Sequence, residues 1–420
     1  VSPAPLRVCL DARLRDGEAG GVQQFVMGLA SGLSGLQDGD EEFLFLSIPG
    51  SRAWLEPHLR GRCRSLDVAR GAGRPGPTWY RLARALVPVA VVDRTFIGRL
   101  APVAVPRSDG AVESEGIDLM HFTVQTGFLT RVPSIYQPYD LQHEHLPSYF
   151  TPYQRRWRRT VYGELSRSAR SVVVMSSWVR DDVMAHLGVP AEKVRVIPWA
   201  PVTEEYAAPA VEDLAAARSA LRLPERFALY PAQTFPHKNH IGLIEAVADL
   251  RRRAGIVLPV VCPGRPTEHF ARIRRRARQL GLEGVVTFPG YVSAAQIRAL
   301  YSVATFLVFP SLFEGGGMPI FEAFASGLPV ACSDVTCLPR QVGDAALLFD
   351  ARDPAALADA MLRLWTDGDL RRELARRGRE RVQRFSWNRT ARTYRALYRQ
   401  LAGRDLTAED ESLLATPPET

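Results

Sequence analysis

The stretch Phe313-Glu314-Gly315-Gly316-Gly317-Met318-Pro319-Ile320-Phe321-Glu322-Ala323-Phe324-Ala325-Ser326-Gly327-Leu328-Pro329-Val330 reads as a strand exit, a glycine loop, a helix and a new strand. An apolar run, Ala304 to Phe309, precedes it, Pro319 to Ser326 has a helical pattern, and Leu328 to Cys332 is apolar again. Consecutive glycines let the backbone come close to a bulky ligand. Proline is tolerated where a helix opens, because the N–H it lacks would have no partner there. Such a helix start presents free amides and about half a positive charge, which makes it a seat for an anion. Glu314 falls on the loop and Glu322 near the first turn of the helix, so both carboxylates can grip hydroxyls of one elongated ligand. A glycine triplet alone is more often a plain turn, with Glu322 offsetting the helix dipole. Here acids, glycines and strand restart coincide, which favours the ligand site.

The same alternation runs in both directions. Upstream it comprises strands Leu6 to Leu10, Phe43 to Ser47, Ile117 to Phe122, Ser134 to Gln137, Ser171 to Met175 and Val194 to Pro198. Helices fall between them over about 21–33, 152–170 and after Ser177. An aperiodic stretch with Pro201 separates this series from a second. The second has strands Phe227 to Pro231, Ile256 to Cys262, Val285 to Phe288, Ala304 to Phe309, Leu328 to Cys332 and Ala345 to Phe349, with helices over 239–252, 266–280, 294–301 and 319–326. Strand–helix alternation predicts mostly parallel sheets covered by helices on both faces. The expected fold class is therefore α/β, with two Rossmann-like domains. Their expected bounds are 1–203 and 204–385, followed by a helix over 386–405 that packs back on the first domain and a flexible tail over 406–420. In open α/β sheets ligands bind outside the carboxyl ends of the strands, and two facing domains place the site in a central cleft.

Composition narrows the class. The chain has 420 residues, 46% hydrophobic and 23% charged, which excludes a wholly disordered, collagenous or disulfide-scaffold protein. Its formal charge of +8 is too dilute over this length to indicate nucleic acid, and no zinc-finger or RNP-type pattern is present. Of the 53 basic residues only Lys193 and Lys238 are lysines, which reads mainly as a coding bias toward arginine. Five cysteines without a CxxC pair fit a reduced, cytoplasmic setting. The first residues do not have the pattern of a signal peptide, and no run of about 18 apolar residues indicates a membrane span.

Glu314, Gly315, Gly316, Gly317, Met318 and Glu322 resemble the Glu-x7-Glu signature of retaining GT-B glycosyltransferases, the group-1 or GT4-like family. The likeness continues through Ser333-Asp334, Leu338-Pro339 and Gly343 to Leu347. It departs at Arg340, where relatives carry glutamate, and at Gly316, often aromatic in relatives. A second stretch, Pro236-His237-Lys238-Asn239-His240, is similar to the loop in which that family's lysine binds the donor diphosphate. The residues agree with this: a cation at the positive end of a helix gains nothing unless an anion lies between them. Relatives carry an arginine upstream where this chain has Gln233 and Thr234, and Arg265 is the candidate replacement. Gly20 and Gly21 match the family's glycine-rich loop next to the donor, and Val292, after Gly290-Tyr291, sits where relatives hold the nucleobase.

Tyr139-Asp140 stands where relatives have His-Asp near the sugar and acceptor. The resemblance thus makes Tyr139 a catalytic candidate beside Glu314 and Lys238, with Asp140 and His143 on the acceptor side. His121, His143 and His145 lack the carboxylate-rich shell of a metal site, and no metal is expected. Asp38-Gly39-Asp40 has the look of a metal-binding DxD but lies in a charged turn away from the strand ends. The basic–aromatic segment from Trp79 to Arg107 reads as an insertion on the first domain, with peripheral contact to an anionic membrane face as the alternative.

The resemblance implies transfer of mannose or another hexose from a GDP- or UDP-sugar to an alcohol, with retention and without a metal. The acceptor could be a glycan, a lipid-linked glycan or a small natural product. Two other readings stay open: a pseudo-glycosyltransferase or nucleotide-sugar isomerising enzyme on the same fold, and a non-catalytic nucleotide-sugar-binding subunit.

Overall fold

The computed structural model describes residues 4–17, 20–67, 103–201 and 209–415. Most of the basic–aromatic segment, Trp79 to Arg99 included, lies outside the described residues. The chain divides into two compact units, Val1–Trp199 with Ser386–Thr420, and Ala200–Phe385.

The first unit carries strands β1 (Arg7–Asp11), β2 (Glu42–Ser47), β3 (Cys63–Asp67), β4 (Leu119–Phe122), β5 (Ser134–Tyr136), β6 (Ser171–Val174) and β7 (Val194–Val196). They form one parallel sheet in the order β3-β2-β1-β4-β5-β6-β7. Every residue of β4, β5 and β6 is buried, as expected of parallel strands covered on both faces. β3 was not anticipated: Cys63-Arg64-Ser65-Leu66-Asp67 alternates little and has a largely open face.

The chain leaves this unit at Trp199 and returns at Ser386 to add the helix Trp387–Leu401. That helix packs on Gly21–Ser34, where Gly28 leaves room for the Trp387 ring; a Cβ at Gly28 would lie 2.0 Å from it. Thr390 Oγ1 donates to the Pro198 carbonyl across 2.9 Å. Buried Arg395 donates to Asp38, which makes the Asp38-Gly39-Asp40 turn a docking point for this helix. Arg399 reaches both Glu41 (2.5 Å) and Asp410 (2.8 Å). Asp410 belongs to a further helix, Ala408–Ala415, so the part of the expected flexible tail that is described is ordered. The reason is a buried ion network that the acidic run Glu409, Asp410 and Glu411 did not reveal.

The second unit carries β8 (Ala228–Leu229), β9 (Val260–Pro263), β10 (Val286–Gly290), β11 (Phe306–Phe309), β12 (Val330–Ser333) and β13 (Ala346–Phe349). They are parallel, in the order β10-β9-β8-β11-β12-β13. The strand order reverses between β8 and β11, and such a reversal opens a ligand crevice at the carboxyl ends. All five cysteines are buried and free. Among the described residues no helix is long and apolar enough to cross a membrane.

Candidate functional site

The reversal in the second sheet places two loops side by side. Tyr230 ends the β8 segment and its hydroxyl donates to the Lys238 carbonyl across 2.6 Å. Pro236–Lys238 form a single 3-10 turn, and Asn239 adopts a left-handed conformation (φ 55°) that asparagine tolerates. The Asn239 side chain caps the helix His240–Ala254 by accepting from the Gly242 amide at 3.3 Å. Its amide nitrogen also donates to the Ala351 carbonyl at 2.8 Å. Lys238 is therefore held immediately ahead of a helix start by a tyrosine, a turn and a cap.

The loop after β11 is fastened to this one by Leu312, whose amide donates to the His237 carbonyl across 2.7 Å. Thr336 Oγ1 donates to the Glu314 carbonyl at 2.7 Å and accepts from the Glu314 amide at 3.3 Å. Gln341 makes a reciprocal pair of 2.9 Å bonds with the Gly317 backbone. The result brings Lys238 Nζ to 2.6 Å from Glu314 Oε1, with the lysine side chain 19% exposed and the glutamate 9%. Lys238 also lies 5.6 Å from the centre of the Phe309 ring.

Glu322 is the fifth residue of the helix Met318–Ala325, in its second turn rather than its first. Met318 and Pro319 occupy the opening positions, one residue earlier than the sequence pattern suggests. Glu322 accepts from the Tyr301 hydroxyl at 2.5 Å.

Arg265 follows β9, beside β8, and its guanidinium lies 4.8 Å from the centre of the exposed Tyr291 ring after β10. Val292 comes next and is half-buried. Thr234 and Thr267 tie the β9 loop to the Lys238 loop through bonds of 2.7 Å. At Gly264 (φ +153°) any Cβ would lie 2.1 Å from the Ala232 carbonyl oxygen, so only glycine lets these loops approach. Along the carboxyl edge, the β10, β9, β8 and β11 loops thus present Val292, Arg265, Lys238 and Glu314 in that order. At a strand spacing of roughly 4.8 Å this row extends about 14 Å, a length suited to an elongated anionic ligand.

Electrostatics near the row favour neutral histidine. Burial first, then Lys238 and His269, push His240 down to about 3. Its ring lies against Tyr230, with centroids 4.8 Å apart. Burial raises the Tyr230 phenol well above its ordinary value, so it stays a donor.

In the first unit, Gly20 and Gly21 open the helix Gly21–Ser34, and nothing lies within 4 Å of a Cβ placed at Gly21. Tyr139 has φ 68° and is buried against Phe25 and Trp199, and its hydroxyl donates to the Thr123 carbonyl. His143 is fully buried between Phe150 and Tyr162. Burial above all pushes it to about 4, so its 3.3 Å approach to Glu144 is not an ion pair at neutral pH. Asp140 Oδ1 accepts from the Gln142 amide at 3.2 Å. His121 is a core residue, between Tyr398 (2.8 Å) and Gln137 (2.6 Å).

Sequence reasoning missed the clamps Thr336 and Gln341, which have no local pattern. It also missed Asp182 and His186, which join His145 to form a group whose ligand atoms all lie within 4.8 Å of one another. An i, i+4 Asp–His pair on the helix after β6 was the available signal.

Residues 212–381 match the family model described as Glycosyl transferases group 1, and residues 19–200 match that described as Glycosyltransferase Family 4. O-antigen chain mannosyltransferase B of Escherichia coli is 29% identical over 251 residues, 60% of this chain and 66% of that protein. The MMP alpha-(1->4)-mannosyltransferase of Mycolicibacterium hassiacum is 29% identical over 262 residues, 60% of each chain. The chain thus spans less than two thirds of the length of either relative. The structure of Anabaena HepE in complex with UDP and glucose superposes with a TM-score of 0.70 at 18% identity, covering 94% of this chain and 100% of that one.

Proposed function

The chain belongs to the GT4-like, group-1 glycosyltransferases, and from that premise we propose that it transfers a hexose, mannose first among the candidates, from a nucleotide diphosphate sugar to an alcohol with retention. The observation that carries this reading is the Lys238–Glu314 pair at the strand-order reversal, beside the glycine loop Gly315, Gly316 and Gly317. The mannose preference rests on the names of the two mannosyltransferase relatives.

In this reading the diphosphate meets Lys238, the amides at the start of the helix His240–Ala254, and Arg265. Tyr291 and Val292 face the nucleobase, Glu322 the ribose, and Glu314 the sugar hydroxyls. The C1–O bond to the diphosphate breaks while the acceptor oxygen bonds C1 on the same face. A phosphate oxygen of the leaving group takes the acceptor proton, so no separate base is required. Lys238 and the fixed amides stabilise the charge that grows on the leaving diphosphate, electrostatic preorganisation that can replace a metal in this step. Tyr139 contributes through position: with its phenol committed to the Thr123 carbonyl, it shapes the loop carrying Asp140 and His143 on the acceptor side.

The reading is tested by incubating the protein with GDP- and UDP-linked hexoses, in the presence of chelator, and assaying nucleotide release with and without alcohol acceptors. Acceptor-dependent release from GDP-mannose, giving an α-glycoside, is expected. Donor binding without turnover for every acceptor class would instead support a binding subunit, and an isomerised nucleotide sugar would overturn the transfer reaction.

A further inference from the structure

His145 closes the short helix Gln142–His145 after β5, and Asp182 and His186 lie one turn apart on the helix Ser177–Leu187 after β6. Their side chains converge on one point: Asp182 Oδ1 is 2.7 Å from His145 Nε2 and 2.9 Å from His186 Nδ1. The two imidazole rings are 5.2 Å apart, and the indole of Trp178 lies 5.4 Å from His145. Asp182 is only 6% exposed, and its second oxygen, Oδ2, is buried without a hydrogen-bond partner. A carboxylate committed to the interior with an unsatisfied oxygen is costly unless a cation completes it.

We infer that His145, Asp182 and His186 form a binding site for a divalent transition-metal ion of the zinc class. Two imidazole nitrogens with one carboxylate oxygen suit zinc, cobalt or nickel and not magnesium or calcium, which prefer all-oxygen shells. An ion about 2.1 Å from each ligand in tetrahedral geometry separates ligand atoms by roughly 3.4 Å, so both imidazoles must draw back from Asp182 Oδ1 and His186 Nδ1 must give up its 3.0 Å bond to the Asp182 carbonyl oxygen. Both histidines are partly exposed and can make that adjustment. Three protein ligands leave the fourth position to water. The ion is held by the first unit alone, since all three ligands belong to it. It staples the loop after β5 to the helix after β6, which fixes the segment carrying Tyr139, Asp140 and His143.

The test uses the full chain with any polyhistidine tag removed, stripped with chelator and titrated with zinc, and separately with cobalt to read visible ligand-field absorption. One equivalent of zinc is expected to bind with micromolar or tighter affinity and to raise the melting temperature. His186→Ala and His145→Gln each lower the affinity at least about tenfold, since even partners one shell out from a metal are worth that much. Each metal-free variant is melted beside the metal-free parent, and the rise in melting temperature on adding zinc, present in the parent and lost in the variants, separates lost binding from lost folding. No saturable binding, or equal binding by parent and both variants, overturns the site and leaves a hydrogen-bonded acid–imidazole cluster. Neither result bears on the donor reaction, which is read separately as nucleotide release.

Discussion

Lys238 donates to Glu314 across 2.6 Å and so joins the loops that leave two neighbouring strands, β8 and β11, at the reversal of the second sheet. In the proposed reaction these partners separate, the ammonium turning to the diphosphate and the carboxylate to the sugar.

This separation makes opposite predictions for two ligands. Glu314→Gln removes the carboxylate that competes for Lys238, so free nucleoside diphosphate should bind the variant as tightly as the parent or more so. Turnover of the nucleotide sugar should fall by about 10²–10³, the usual cost of removing one preorganised electrostatic contact. Calorimetry on the diphosphate and initial rates on the donor are sufficient. Equal losses in both would mean that Glu314 serves only to hold the loop.

Gly264→Ala should destabilise the second unit by at least about 2 kcal/mol, because a Cβ would meet the Ala232 carbonyl and the backbone must leave a conformation that side chains resist. The shift carries Arg265 and the Thr234–Thr267 clamp away from the Lys238 loop. Urea denaturation gives the stability, and donor KM should rise with it. An unchanged midpoint would remove glycine from the account of how these loops meet.

Acid should act through two buried histidines. Burial holds His121 and His240 at about 3, below the ordinary value of about 6.5. Below pH 6.5 the unfolded chain binds protons that the folded one does not. The stability is therefore fully present above that pH and is lost as pH falls toward 3. Each histidine costs roughly 2.7 kcal/mol at pH 4.5. His240→Phe, which keeps a ring against Tyr230, should flatten the acid limb by about 1.4 kcal/mol per pH unit, measured as urea midpoints between pH 7 and 4.5. An acid limb identical to that of the parent would show that His240 is protonated in the fold.

Removing residues 406–420 takes Asp410 from Arg399 and leaves the Arg399–Glu41 pair buried with one partner fewer. A loss of roughly 3 kcal/mol is expected, of the size seen when a buried ionic network loses a member. A flexible tail with no structural part would leave the melting temperature where it was.

Much of the fold was legible because its signals are local. The runs at Val8 to Leu10, Val172 to Val174 and Phe306 to Phe309 are short, apolar and bounded by turns, and the helices between them keep their period. β3 was not, since Arg64, Ser65 and Asp67 carry no apolar alternation and the strand is fixed by pairing with β2. The helix Val211–Ala220 was also unread; only Ala217 in it is buried, so no apolar stripe marks it. At the candidate site, Lys238, Glu314 and the glycines could be read because strand, loop and helix start follow one another in sequence. Thr336 and Gln341 could not, because what they touch lies on other elements; the Asp182–His186 pair carried an i, i+4 signal, but its third member, His145, lies on another element.

In the proposed reaction Lys238 receives the diphosphate of the sugar donor. Titrating GDP and UDP into the parent chain and into Lys238→Ala tests it most directly. At least a tenfold weaker affinity is predicted for the variant, with the Lys193→Ala control unchanged. Equal affinity of parent and Lys238→Ala for both nucleotides would contradict the account.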